Sequence, residues 1–165
     1  MPTNNDGVMI ILSSPSGAGK TTLVNLLSQQ DNFEISISHT TRKPRETETE
    51  GVDYYYVTDE RFMEMYENGE MLEYMDFKGW KYGMTKEEYN KSDVLIMSPD
   101  GLKQLPQEVL DECLIIYLDI NPTTRLTRLI LRGDKAYHPM SREIEDTKQF
   151  NEFENYDLRV TNPEF

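Results

Sequence analysis

The run Val8-Met9-Ile10-Ile11-Leu12 leads into Ser13-Ser14-Pro15-Ser16-Gly17-Ala18-Gly19-Lys20-Thr21-Thr22 and then into Leu23-Val24-Asn25-Leu26-Leu27. An apolar run, a small-residue segment and a second apolar stripe predict a buried strand, a tight loop and a helix. From Ser14 to Thr21 the loop fits G-x-x-x-x-G-K-[ST] at every fixed position but the first, where Ser14 stands for Gly. Small side chains let the backbone curl until several N–H groups face one anion, and the following helix adds the positive end of its dipole. Ser14, Pro15, Ser16, Gly17, Ala18, Gly19, Lys20, Thr21 and Thr22 are therefore the expected cradle of a nucleoside triphosphate. Lys20 would reach the outer phosphates as a point charge, and the Thr21 hydroxyl would serve Mg²⁺. An ordinary glycine-rich turn lacks this order of strand, loop, Lys-Thr and helix. The motif says that a triphosphate is bound and not what is done with it.

Around that stretch the chain has 165 residues, enough for one core of ordinary size with small inserted lobes. Its net charge of −13 argues against general binding of nucleic acid or acidic membranes, which need a basic face. It does not argue against a small anionic substrate held by a few local arginines. The single cysteine, Cys113, lies in an apolar run and reads as a buried small residue; no intrachain disulfide can form. No apolar run reaches the length of a membrane span, and the N-terminus has no basic-then-apolar leader, so a cytoplasmic protein is expected. Oligomeric state is not legible.

Along the chain, residues 1–7 read as a polar, frayed start, and Asp31-Asn32 as the stop of the first helix. Ile35, Ile37 and His39 alternate with polar residues, as in a half-buried strand. A charged loop, Thr41 to Gly51, leads to a strand at 53–57. Thr58 is placed to cap a helix over 59–68, with Gly69 past its end. Strands are expected over Met71–Phe77 and Lys81–Tyr82 around Gly79, a short helix over 85–90, and core strands over 94–97 and 113–120. Ser98-Pro99-Asp100-Gly101 reads as a turn. Asn121-Pro122 starts a helix that Gly133-Asp134 ends, with Tyr137-His138-Pro139 as loop. A polar helix follows over 141–153, then a last strand over 157–161. Apolar strands alternating with helices predict an α/β fold, a parallel sheet with helices on both faces. The closely spaced strands of 35–88 predict a mostly antiparallel inserted lobe, leaving 7–34 and 89–162 as the core.

The second informative stretch is Ser38-His39-Thr40-Thr41-Arg42-Lys43-Pro44-Arg45-Glu46-Thr47-Glu48-Thr49-Glu50-Gly51-Val52-Asp53-Tyr54. Arg42 and Arg45, with Pro44 stiffening the turn between them, can converge on one phosphate. Beside a triphosphate loop, such a pair suggests a second, phosphate-bearing substrate.

With Met71-Leu72-Glu73-Tyr74, Tyr82-Gly83 and the set Arg128, Arg132 and Arg142, these stretches resemble guanylate kinases over nearly the whole chain. The resemblance implies the P-loop NTPase fold with an inserted monophosphate-binding lobe and a short lid near 132–142. It implies that Arg42, Arg45, Tyr54 and Tyr82 hold the phosphate of GMP, and that Ser38 donates to guanine O6. Glu73 would accept from N1–H and the 2-amino group, with Glu48 nearby. Guanine's two adjacent donors suit one carboxylate, whereas adenine presents an acceptor at N1. Arg128 and Arg132 share a helix face and would close on the phosphates with Arg142, although the intervening loop is about one residue shorter than the family's. Asn162 would lie near the adenine of ATP.

Three departures from the family pattern stand out. Met84 occupies the place of a Ser or Thr near the base. Ser98 stands for an Asp, with Ile96 for the acid before it and Asp100 as a shifted substitute. The chain ends soon after Asn162, so the family's terminal helix is expected to be missing. The implied reaction is reversible transfer of the γ-phosphoryl group of ATP to GMP or dGMP, with Mg²⁺ and no covalent intermediate. Lys20, Arg42, Arg128, Arg132 and Arg142 would carry the charge of the moving group. Two alternatives remain open at this level: a kinase for another or modified purine monophosphate, and a non-catalytic binding module of the same build.

Overall fold

Strand β1 (Met9–Ser13) is apolar almost throughout because it has a parallel neighbour on each edge and is covered above and below; Ile11 and Leu12 have no exposed surface. The computed structural model describes residues 8–30, 33–133, 138–162 and 164. The readings for residues 1–7, for Asp31-Asn32, for Asp134 and Tyr137, and for the middle of the lid lie outside the described residues.

From β1 the chain turns through the phosphate loop into α1 (Lys20–Gln30), then continues to β2 (His39–Thr40), β3 (Tyr55–Tyr56) and α2 (Asp59–Glu67). A hairpin, β4 (Met71–Phe77) and β5 (Trp80–Thr85), precedes α3 (Lys86–Lys91) and β6 (Val94–Ile96). Short helices α4 (Pro99–Leu102) and α5 (Gln107–Asp111) lead to β7 (Cys113–Leu118). The elements α6 (Pro122–Arg132), α7 (Pro139–Phe150) and β8 (Leu158–Val160) follow. One sheet has the order β6-β1-β7-β8, with every pairing parallel. The other has the order β3-β2-β5-β4, parallel between β2 and β3 and antiparallel elsewhere.

Capping signals translate directly into geometry. Thr58 accepts from the Arg61 N–H, Asn121 from that of Thr123, and Gly133 ends α6 at φ +67°. Ser98-Pro99-Asp100-Gly101, read as a turn, is instead the cap and body of α4: the Ser98 hydroxyl accepts from Gly101 N–H at 3.1 Å, with Pro99 in the first turn. The segment 35–40 is not one strand. Ile35 bridges to Val94 in the parallel sheet, and His39 already pairs in the lobe. The last helix starts at Pro139, earlier than expected, because His138 caps it.

The main core gathers Met9, Ile11, Leu95, Leu102 and Ile115 with Met84, which β5 contributes from the other sheet. Cys113 is buried there as expected, its thiol pushed up to about 11 by burial and donating to the Val109 carbonyl.

Candidate active site

The phosphate loop and the Ser38–Tyr54 stretch border one cavity of about 140 Å³, Ser38 and Tyr54 lining it for the second stretch while Arg42, Arg45 and Glu48 stand behind the lining. Ser14, Ser16 and Lys20 line one end, and Ser38, Tyr54, Glu73, Tyr82 and Ser98 the other. Arg142, Asp146, Gln149 and Phe150 of α7 close a side, and Met75, Phe77 and Met97 supply apolar wall. A larger groove of about 450 Å³ between α6 and α7 is lined by Leu126, Leu129, Ile130 and Met140, with His138 the one titratable group among its described lining residues.

At the loop end the curl needs glycine. Gly17 has φ +75°, and a Cβ there would stand 2.7 Å from the Arg125 carbonyl oxygen, so α6 lies directly against the loop. Ala18 is buried between Leu118 and Ile120. No acidic residue stands in the first turn of α1, so its positive end is left for an anion. Lys20 is lowered to about 8 by burial first and by the Arg142 charge second; Asp146 opposes the shift and Arg132 adds to it. Arg128 donates to the Gly17 carbonyl at 3.1 Å, and Arg142 Nε to Ser16 Oγ at 2.5 Å. The Arg142 guanidinium also lies 4.6 Å over the Phe77 ring, joining α7 to the β4–β5 hairpin. The short lid loop therefore does not keep Arg142 from the site. Arg132 is exposed at the end of α6.

At the other end Arg42, only 3% exposed, grips Glu48 with two bonds of 3.0 and 2.9 Å. Arg45 adds its Nη1 and its backbone N–H, each at 2.8 Å, and Tyr56 its hydroxyl at 2.9 Å. Burial would raise the Glu48 carboxyl, but these donors outweigh it and hold it at about 2. Glu48 is thus the anchor of the arginine pair. Arg42 lies 5.4 Å from the Tyr54 ring, which lines the cavity 6.0 Å from the Tyr82 ring.

Glu73 is 8% exposed and accepts one protein hydrogen bond, from Met84 N–H at 3.0 Å. Burial pushes its carboxyl up to about 7, opposed by that amide. Its Oε2 stands 2.9 Å from where a Cβ on Gly101 would be, so a side chain there would push the carboxylate aside.

Three expected base or nucleotide contacts take other places. The Met84 side chain sits in the core and does not line the cavity; what it brings to the site is the amide that holds Glu73. Asp100 is exposed, paired with Lys103 at 2.9 Å and outside the cavity lining, because α4 turns its second residue outward. Asn162 is exposed and accepts from the Glu164 N–H, also outside the lining. Ser98 does line the cavity, its hydroxyl donating to Met75 Sδ at 3.3 Å.

Asp146 was missed. It is 6% exposed and accepts from the Ser16 N–H of the phosphate loop at 2.9 Å. Its spacing of four from Arg142 puts both on one helix face, a signal that becomes usable once Arg142 is placed at the loop. Arg125, 4% exposed, was missed too: it pairs bidentately with Glu143 at 2.7 and 2.9 Å and ties α6 to α7.

The family model described as guanylate kinase matches residues 7–165. The chain belongs to the guanylate kinase family. It is similar to the guanylate kinase of Wolbachia sp. subsp. Brugia malayi, 36% identical over 98% of this chain and 88% of that protein. The guanylate kinase of Lactococcus lactis is 33% identical over 94% of this chain and 80% of its own length. Among solved structures, the guanylate kinase of Anaplasma phagocytophilum aligns with a TM-score of 0.68 and 27% identity, over 94% of this chain and 77% of that one. Membership of the guanylate kinase family accounts for a P-loop core that carries a second, mixed sheet.

Proposed function

We propose that the chain transfers the γ-phosphoryl group of ATP to GMP or dGMP, giving ADP and GDP or dGDP. What carries this reading is that one cavity joins Lys20 and the phosphate loop to Ser38, Tyr54, Glu73 and Tyr82. The acceptor phosphate is already an anionic nucleophile, so catalysis consists of positioning and charge neutralisation. Loop amides and Lys20 hold the donor. Arg42 and Arg45, preset by Glu48, orient the acceptor with Tyr54 and Tyr82. Glu73 takes the two donors of guanine. Arg128, Arg132 and Arg142 surround the moving phosphoryl, a role worth roughly 10³-fold or more for enclosing arginines.

Mg²⁺ fits as a companion of the triphosphate. Among the described residues no group of three or more His, Cys, Asp or Glu side chains is arranged to hold an ion, whereas Thr21, an exposed residue in the first turn of α1, carries a hydroxyl. One hydroxyl with phosphate oxygens and water is an ordinary Mg²⁺ environment, and the ion would neutralise charge on the phosphates. No helix among the described residues is long and apolar enough to cross a membrane, and a cytoplasmic site of action is part of this reading.

The test is a coupled assay with ATP·Mg²⁺ and a panel of GMP, dGMP, AMP, IMP and 2-aminoadenine nucleotides. Turnover of GMP and dGMP far above AMP is expected. Preference for AMP would overturn the role of Glu73, and no ATP consumption with any acceptor would make the chain a binding module.

A further inference from the structure

The phosphate loop already holds an anion from its own chain. Ser16 lies within the cradle, and its N–H is given to Asp146 Oδ2 at 2.9 Å. The carboxylate is buried, lines the cavity beside Lys20 and has Arg125 Nη1 at 3.9 Å. Arg142, one turn earlier on α7, binds the hydroxyl of the same serine. A carboxylate presents two oxygens to amide donors much as a phosphate does. If it kept this position against a bound triphosphate, two anions would share one weakly screened site, which like charges resist.

We propose that Asp146 sets the affinity for the phosphoryl donor: its carboxylate competes with the triphosphate for the Ser16 N–H and for the positive field of Lys20, Arg125 and Arg142. The donor must displace it, and apparent affinity is reduced by the fraction of molecules in which Asp146 holds the loop. The adjoining Arg125–Glu143 pair keeps α7 docked on α6, so neutralising Asp146 removes the competitor without releasing the helix. This inference rests on the reading that the loop takes ATP.

The experiment compares the unaltered chain with Asp146→Asn and Asp146→Ala, titrating ATP and ADP with Mg²⁺ and measuring KM for ATP and GMP separately. Asn keeps an acceptor for Ser16 and removes the charge; Ala removes both. Both variants are expected to bind ATP and ADP about three- to tenfold more tightly, Ala at least as much as Asn, with KM for GMP within about twofold. Unchanged or weaker ATP binding in the Asn variant would overturn the inference and make Asp146 a support of the loop. Should Ala lower the melting temperature, the isosteric Asn variant decides. An unaltered chain that binds GMP but neither ATP nor ADP would overturn the proposed donor, and the competition with it.

Discussion

Replacing Glu73 by Gln separates what the site needs from what the fold prefers. The Glu73 carboxyl is raised from 4.5 to about 7 because it is buried with a single amide donor. The sign follows from which state keeps the proton. Between pH 4.5 and 7 the folded chain holds it and the unfolded chain releases it, so stability falls as pH rises through that window. The penalty is absent below the window and complete above it. A rise of this size, at ~1.36 kcal/mol for each pH unit, amounts to about 3 kcal/mol. Gln keeps an oxygen for the Met84 N–H and does not titrate. Glu73→Gln is therefore expected to match the unaltered chain at pH 4.5 and to exceed its stability by about 3 kcal/mol at pH 8. For a chain of this length that corresponds to roughly 6–12 °C in melting temperature. The same change removes the charged acceptor proposed for guanine, so kcat/KM for GMP should fall about 10- to 100-fold. In the unaltered chain, KM for GMP should improve as pH rises through about 7, when the carboxyl ionises. Urea unfolding of both proteins across pH 4.5 to 8 is the assay. Parallel stability curves would refute the reasoning, since they would mean that Glu73 ionises in the fold without cost.

Lys20→Ala should abolish turnover while leaving GMP binding largely intact, checked by GMP titration; loss of GMP binding with ATP hydrolysis retained would contradict the two-ended assignment. Glu48→Gln leaves Arg42, 3% exposed, without its counter-charge and should cost about 3 kcal/mol in urea unfolding. In the unaltered chain the Glu48 contribution is present above pH 4.5 and lost as pH falls toward about 2, which an acid-unfolding titration would show. Gly17→Ala combines a left-handed φ with a 2.7 Å approach to the Arg125 carbonyl. It should weaken ATP binding and lower the melting temperature, whereas Gly79→Ala, with nothing within 4 Å, should leave ATP binding unchanged.

The phosphate loop and the arginine stretch were legible because their physics is local: a run of small residues before Lys-Thr, and two guanidinium groups across a proline. Helix ends were legible for the same reason, as Thr58, Asn121 and Gly133 show. What escaped depended on partners distant in sequence. The alternation of 35–40 looks the same whether its edge meets Val94 or Tyr55 and Gly83, and the structure uses both. Asp146 lies on a polar helix whose pattern suggests solvent; only docking against residue 16 buries it. At Met84 the resemblance expected a side chain near the base, whereas the structure buries that side chain in the core and turns only the backbone N–H toward Glu73.

The passage of segment 35–40 between sheets has a mechanical consequence. Between the Ile35 bridge and the His39 ladder lie Ser36, Ile37 and Ser38, and the Ile37 N–H is tethered at 2.9 Å to the buried carboxylate of Glu88. A side-chain tether follows small rotations that a ladder of amide bonds resists. Ser36 N–H still bonds the Val94 carbonyl at 2.9 Å and the Ser38 carbonyl accepts from Tyr55 N–H at 3.0 Å, so Ile37 is the point where the chain leaves one sheet for the other, and Glu88 is the fastening there.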